Sequence, residues 1–323
     1  MHVFRGFNHR ALAGRNALTI GNFDGVHRGH QAILRNLIDV ARRRQLVPTL
    51  LTFEPHPRDF FATLRRSPDS APPHISTLRD KLGALSDCGV GQVVVLRFDQ
   101  RLANLTAEDF IRQVVTAGLR AEYVLVGDDF RFGAGRAGNF ALLQSMGKTL
   151  GFDAEQMPPV TETGRRISSS AVREALQSGD MEAAGLLLGR PYAVSGHVLH
   201  GAKLGRKLGF PTLNLAFDSG RPALAGVFVA RVHGLDSSPL AAVASLGTRP
   251  AVEANGRVLL ETHVFDWNES AYGKLVRVEL LHKLRDEAHF PDLDHLTAAI
   301  KADAAQARAW FGQLARQITR DRI

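Results

Sequence analysis

The sequence predicts an α/β chain with two successive architectures: a parallel sheet covered on both faces, then a small antiparallel β-barrel or sandwich ending in a long helix. Three observations support this. Through about residue 182, short continuous apolar runs alternate with helical patterns, as expected of strands buried on both faces. After about Gly189 the helical periodicity stops, and Gly, Pro, Asn and Asp punctuate a series of short alternating runs. From Asp292 to Gln317, apolar residues return at helical spacing.

In the first half, residues 17–20, 46–53, 92–98 and 122–126 read as strands. Residues 30–44 read as a helix with Ile33, Leu34, Leu37, Ile38 and Ala41 on one face. Residues 78–86 and 107–117 read as further helices, the latter with Thr106 available as a cap. Residues 170–188 are helical with a break at Gly179-Asp180, which divides the chain into domains 1–182 and 183–323. Strands follow at 193–199, 226–233, 240–246, 258–265 and 275–281. The closing helix aligns Leu293, Leu296, Ile300, Ala304, Ala307, Phe311 and Leu314, with an aspartate at its start as a cap.

A chain of 323 residues, 45% apolar and 22% charged, has the composition of a soluble globular protein with room for two cores. No run approaches the ~18 apolar residues of a membrane span, and Met1 to Leu18 has no secretory h-region. The single cysteine, Cys88, excludes an intrachain disulfide and fits a cytoplasmic protein. The formal charge of +8 is spread along the chain, which argues for small polyanionic ligands over nucleic acid; self-association is left open.

Gly21-Asn22-Phe23-Asp24-Gly25-Val26-His27-Arg28-Gly29-His30 follows a strand and opens a helix. Ligands of open parallel sheets bind beyond the carboxyl ends of the strands, and a helix N-terminus offers free N–H groups to a phosphate. His27 and His30, three residues apart, can face one ligand and donate to charge developing on it. A turn histidine beside a packing histidine is the plainer alternative, although glycines at 21, 25 and 29 let backbone approach a ligand closely.

In the second half, Ser195–Leu215 holds a basic loop rich in glycine, including Gly201, Gly205 and Arg206, which leads through Pro211 into a strand. Such loops cradle phosphates through backbone N–H groups. Thr212 and Asn214, two apart, share a strand face and carry hard oxygen donors suited to Mg²⁺. Further on, Leu260, Thr262 and Val264 share one face while Glu261 and His263 share the other. By itself Glu261 reads as an exposed strand carboxylate, and Asp128-Asp129 as a turn.

The segment Gly21–His30 resembles the signature of the bacterial riboflavin kinase/FMN adenylyltransferase family, whose His-x-Gly-His core is shared with the wider nucleotidylyltransferase superfamily. Thr52-Phe53-Glu54-Pro55-His56-Pro57, Val126–Gly133 ending on Gly138-Asn139, and Ile167-Ser168-Ser169-Ser170-Ala171-Val172-Arg173 resemble further family segments. Ser170 stands where the family has Thr, and Ala171 where Arg is frequent. Gly201–Asn214 resembles the kinase motif Gly-x-x-x-Gly-Arg-x-Leu-Gly-Phe-Pro-Thr-x-Asn, with Leu213 in place of a common Ala. Ser245–Pro250, Tyr272-Gly273-Lys274 and Leu284–Phe290 match other landmarks.

The resemblance covers nearly the whole chain. It implies a Rossmann-like nucleotidylyltransferase domain followed by a riboflavin-kinase barrel with a long terminal helix. It also implies phosphorylation of riboflavin to FMN in the second domain and adenylation of FMN to FAD in the first, with ATP as co-substrate and Mg²⁺ as cofactor. His27, His30 and Glu261 take the catalytic roles, Glu261 as the base for the ribityl hydroxyl. ATP contacts are implied at Gly21, Phe23, Gly29, His56, Ser168, Ser169, Ser170 and Arg173 in one site. In the other they are implied at Gly201, Gly205, Arg206 and Thr212, with Thr212 and Asn214 as metal ligands. Flavin contacts are implied at Asp128 and Asp129, and at Arg285 and Glu287, the last two being equally readable as an ion-paired turn.

Overall fold

Alternating apolar residues along the early strands serve two faces of one sheet. In the computed structural model, Val94 and Leu96 pack on one side with Ile111, Val114 and Leu143, while Val93 and Val95 pack on the other with Leu34 and Leu85. The structure describes residues 1–323 apart from 8, 10, 11, 13, 163, 202, 203, 248–257 and 321–323. They form two units: Met1–Pro72 with Lys81–Ser168, and Pro73–Asp80 with Ser169–Ile323.

The first unit holds strands β1 (His2–Arg5), β2 (Asn16–Ile20), β3 (Val47–Glu54), β4 (Gln92–Arg97), β5 (Ala121–Gly127) and β6 (Asp153–Met157). All pair in parallel, in the order β1-β4-β3-β2-β5-β6. Its helices are α1 (Arg28–Arg44), α2 (Pro57–Leu64), α3 (Leu78–Asp87, entering this unit at Lys81), α4 (Gln100–Ala103), α5 (Ala107–Asp109) and α6 (Phe140–Leu150). A two-stranded ribbon, β7 (Thr161–Glu162) and β8 (Arg165–Arg166), completes it. The chain leaves β2 for β3 on one side and returns to β5 on the other. The carboxyl ends of β2 and β5 therefore form the switch point where open parallel sheets bind ligands.

The second unit begins with α7 (Ser169–Ser178) and α8 (Met181–Leu188). Strands β9 (Tyr192–His197), β10 (Leu213–Ala216), β11 (Gly226–His233), β12 (Leu240–Gly247), β13 (Leu259–Val264) and β14 (Leu275–Arg285) follow, with the short α9 (Leu204–Lys207) between β9 and β10. They pair antiparallel in the order β10-β13-β12-β11-β14-β9. Just beyond β9, the Leu199 N–H donates to the Asn214 carbonyl at 2.8 Å, which brings the chain back to β10 and nearly closes the barrel. Its interior is apolar, with Phe228, Leu246, Leu260 and Val278 among its buried residues. Helix α10 (Leu293–Arg320) lies on the barrel's outside, where the small Ala304 and Ala307 allow close approach to Val227, Val229, Val243 and Phe265. The Asp292 carboxylate accepts from the His295 N–H at 2.9 Å as its cap.

Several elements differ from the sequence expectation. Edge strands β1 and β6 carry the exposed, polar sequences HVFR and DAEQM, so no apolar run marks them. The helix expected over 107–117 is a single α-turn capped by Thr106, continuing as a π-helix over Phe110–Gly118. Leu293 is 54% exposed and lies off the buried face of α10, whereas Asp303 lies on it. Helices α7 and α8 bury Val172, Leu176, Met181 and Leu188 in the barrel's own core, so packing divides the chain earlier than 182/183.

Candidate active sites

The loop after β2 is held in an unusual conformation. Phe23, Gly25 and Val26 have φ of 48°, 80° and 44°, which costs a non-glycine residue about 1–3 kcal/mol. Burial of the Phe23 and Val26 side chains offsets that strain, since both sit in the core cluster with Leu34, Leu50 and Leu85. The loop delivers His27 to the N-cap of α1, where its Nδ1 accepts from the His30 N–H at 3.3 Å. The two imidazoles stack with centroids 3.6 Å apart and planes at 17°, and Phe23 lies against His30 at 4.6 Å. Gly29 makes this possible, because a β-carbon there would lie 3.1 Å from the His27 ring and from the Ile167 carbonyl. The first turn of α1 has no acidic residue of its own, Arg28 within it pairs with Glu162, and Arg42, Arg43 and Arg44 occupy the last turn, where cations complement the helix dipole.

Of the other expected residues in this unit, His56 caps α2, its Nδ1 accepting from the Arg58 N–H at 3.1 Å. Asp128 follows β5 at the switch point, but its carboxylate is gripped by both terminal nitrogens of Arg166 at 2.6 and 2.9 Å. Arg166 also reaches Asp129 at 3.6 Å. That guanidinium comes from an exposed two-residue strand. Asn139 caps α6, and Gly138 is required by the Phe132 ring, which a β-carbon would meet at 2.7 Å. Ser168 ends the first unit, while Ser169, Ser170 and Arg173 belong to α7 of the second, where the Arg173 Nε donates to the Pro73 carbonyl at 2.7 Å.

In the second unit, Gly201, Arg206, Pro211, Thr212, Asn214 and Tyr272 line a small open hollow. Asn214 on β10 is directly opposite Glu261 on β13, a pairing that sets their β-carbons about 4.5–5.5 Å apart. Leu260, Thr262 and Val264 are buried, as the alternation predicts, which puts Glu261 on the other face with His263. The His263 Nδ1–H donates to the Pro211 carbonyl at 2.9 Å and so anchors the backbone just before Thr212. Gly201 packs on the Asn214 amide, and a β-carbon there would be 2.6 Å from its nitrogen. The Gly205 carbonyl accepts from the Phe210 N–H at 2.7 Å, doubling the loop back onto the strand entry. His200 stacks on Tyr272 at 3.9 Å, a contribution the sequence pattern did not single out. Ala202, Lys203, Thr248, Arg249 and Pro250 lie outside the described residues.

The remaining pair separates. Arg285 grips Asp303 of α10 through two hydrogen bonds of 2.9 and 2.7 Å and lies over the Phe290 ring, an ion pair to the terminal helix and not within the turn. The Glu287 carboxylate presses on the Gly247 backbone, where any β-carbon would collide with it.

The family model described as FAD synthetase matches residues 9–171, and that described as riboflavin kinase matches residues 188–311. The chain is 45% identical over 314 residues to the bifunctional riboflavin kinase/FMN adenylyltransferase of Escherichia coli (strain K12), covering 97% of this chain and 98% of that protein. It is 41% identical to the protein of the same name from Haemophilus influenzae, covering 96% and 99%. A solved structure described as a macrolide-efflux protein from Streptococcus pneumoniae is similar over 95% of this chain and 98% of that one, with a TM-score of 0.73 and 28% identity. Among the described residues, no helix of this chain is long and apolar enough to cross a membrane. With both family models matching in this order, the chain belongs to the bifunctional riboflavin kinase/FMN adenylyltransferase family.

Proposed function

We propose that the chain makes FAD from riboflavin in two ATP-dependent steps, one in each unit. The observation that supports this reading is that two different sets of candidate residues fall in different units, the stacked His27/His30 pair in one and the Asn214/Glu261 ladder pair in the other.

In the kinase step, the terminal ribityl hydroxyl of riboflavin attacks the γ-phosphorus of ATP and ADP leaves. Glu261 accepts the hydroxyl proton. The basic loop at Gly201, Gly205 and Arg206 holds the phosphates. Thr212 and Asn214 offer neutral oxygen donors on an open hollow, which fits a magnesium ion that completes its shell with phosphate and water. Bound there, the ion would screen the phosphate charge.

In the adenylyl step, a phosphate oxygen of FMN attacks the α-phosphorus of ATP and pyrophosphate leaves. The nucleophile is already an anion, so this step needs no base. His27 and His30 donate to charge building on the phosphates, with the N-terminal N–H groups of α1 behind them. Gly21, Phe23 and Gly29 shape the loop, and His56, Ser168, Ser169, Ser170 and Arg173 are the further candidates for ATP. Asp128 and Asp129 are candidates for the FMN side, and Glu287, with Arg285 second, for the riboflavin side. The enzyme acts in the cytoplasm on flavins and ATP, without a nucleic-acid or membrane partner, and an oligomer is compatible with this chemistry.

A chromatographic time course with riboflavin, ATP and Mg²⁺ tests the reading. FMN should rise and then give way to FAD. FMN as the sole product would remove the adenylyl step from the first unit.

A further inference from the structure

Lys81 is buried in the first unit, with only 6% of its surface exposed. It shares a face of α3 with Ala84 and Leu85, at the i, i+3, i+4 spacing that puts side chains side by side. Ala84 and Leu85 pack with Phe23 and Val26, the two loop residues with positive φ whose burial offsets that strain. Between those two residues lies Asp24, 3% exposed, a carboxylate that burial would penalise heavily if no cation answered it. The charges acting on Lys81 are Asp24 from this loop, Glu54 from the end of β3 and Asp59 from the first turn of α2, the helix capped by His56.

We propose that Lys81 is a positioning residue for adenylyl transfer: its ammonium neutralises Asp24, fixes the Phe23–Val26 turn, and thereby sets His27 and His30 against the ATP phosphates. The same ammonium draws Glu54 and Asp59, so the His56 loop is referred to the same point. Burial pushes the Lys81 ammonium below its ordinary value, and the charges of Asp24, Glu54 and Asp59 oppose that shift. Two loops beside the switch point, β2–α1 and β3–α2, are in this way tied to one charge on a helix outside them. The inference rests on the reading of His27 and His30 given above.

The test uses the full chain and the variants Lys81→Met, Lys81→Arg, Asp24→Asn, the double variant Asp24→Asn/Lys81→Met, and His30→Ala. FMN adenylation is followed by FAD and pyrophosphate release, and riboflavin phosphorylation is measured on the same preparations. K81M should lower kcat for adenylation about ten- to a hundredfold while KM for ATP moves less than about threefold, as expected when transition-state alignment is lost. Riboflavin phosphorylation should stay within about twofold, K81R should recover most of the loss, and K81M and D24N should be non-additive. Normal kcat in K81M, or full additivity with D24N, overturns the proposal. If K81M fails to fold, the double variant, which buries neither charge, must fold and still show the low kcat; full activity there overturns it equally. If H30A adenylates normally, the assignment of the site itself fails; if H30A is inactive and K81M normal, only the role of Lys81 falls.

Discussion

The two sites proposed for a nucleoside triphosphate lie on opposite kinds of backbone. In the first unit the candidate residues sit on a loop, with Phe23 and Val26 at positive φ and two histidines stacked at a helix start. In the second they sit on a ladder, with Asn214 and Glu261 fixed opposite one another by strand register. A loop site is held by whatever packs beneath it, so residues far from the chemistry should matter. A ladder site is held by the sheet, so substitutions should matter mainly where a side chain or a β-carbon enters the hollow.

The largest expected effect separates the two chemistries. Glu261→Ala should lower FMN formation about 10²–10⁴-fold, the range for loss of a general base, while FMN supplied directly is still adenylated within about twofold. Flavin chromatography with each substrate in turn reads both numbers. His30→Ala should give the mirror image, a loss of about 10²–10³-fold in adenylation, comparable to removing one donor to a developing charge. Equal damage to both activities by either variant, in folded protein, would erase the distinction between the sites.

Smaller steric changes sharpen the contrast. Gly29→Ala puts a β-carbon 3.1 Å from the His27 ring, and a shift of a few tenths of an ångström there should cost about tenfold in adenylation and nothing in phosphorylation. Gly201→Ala puts one 2.6 Å from the Asn214 amide and should raise KM for ATP in the kinase reaction alone. The smallest effect is one of stability. Asp303→Ala leaves Arg285 without its two-point partner and should destabilise the second unit by about 1–2 kcal/mol, seen as a lower melting temperature.

How much of this was legible in the sequence follows from the same contrast. The strands buried on both faces and the alternation along β13 could be read directly, because burial dictates their composition. The edges of the first sheet could not, since β1 and β6 are exposed and carry no apolar pattern. Likewise the histidines and glycines of the β2 loop stood out as residue types, and the Gly201–Asn214 loop as a spacing. Asp303 and Lys81 did not, because an isolated charge reads as surface until the fold supplies its partner or its burial. The Asn214–Glu261 pairing depends on register between strands 47 residues apart, which local pattern does not encode.

The most direct test of the central claim, two separable sites on one chain, is a complementation assay. His30→Ala and Glu261→Ala proteins are given riboflavin, ATP and Mg²⁺, first separately and then mixed in equal amounts, and FAD is measured by chromatography. Either variant alone should make FAD at least about a hundredfold more slowly than the unsubstituted chain, whereas the mixture should recover most of the rate, through FMN released by the first and adenylated by the second. FAD from either variant alone at close to the unsubstituted rate, or no recovery in the mixture of folded proteins, would contradict the account.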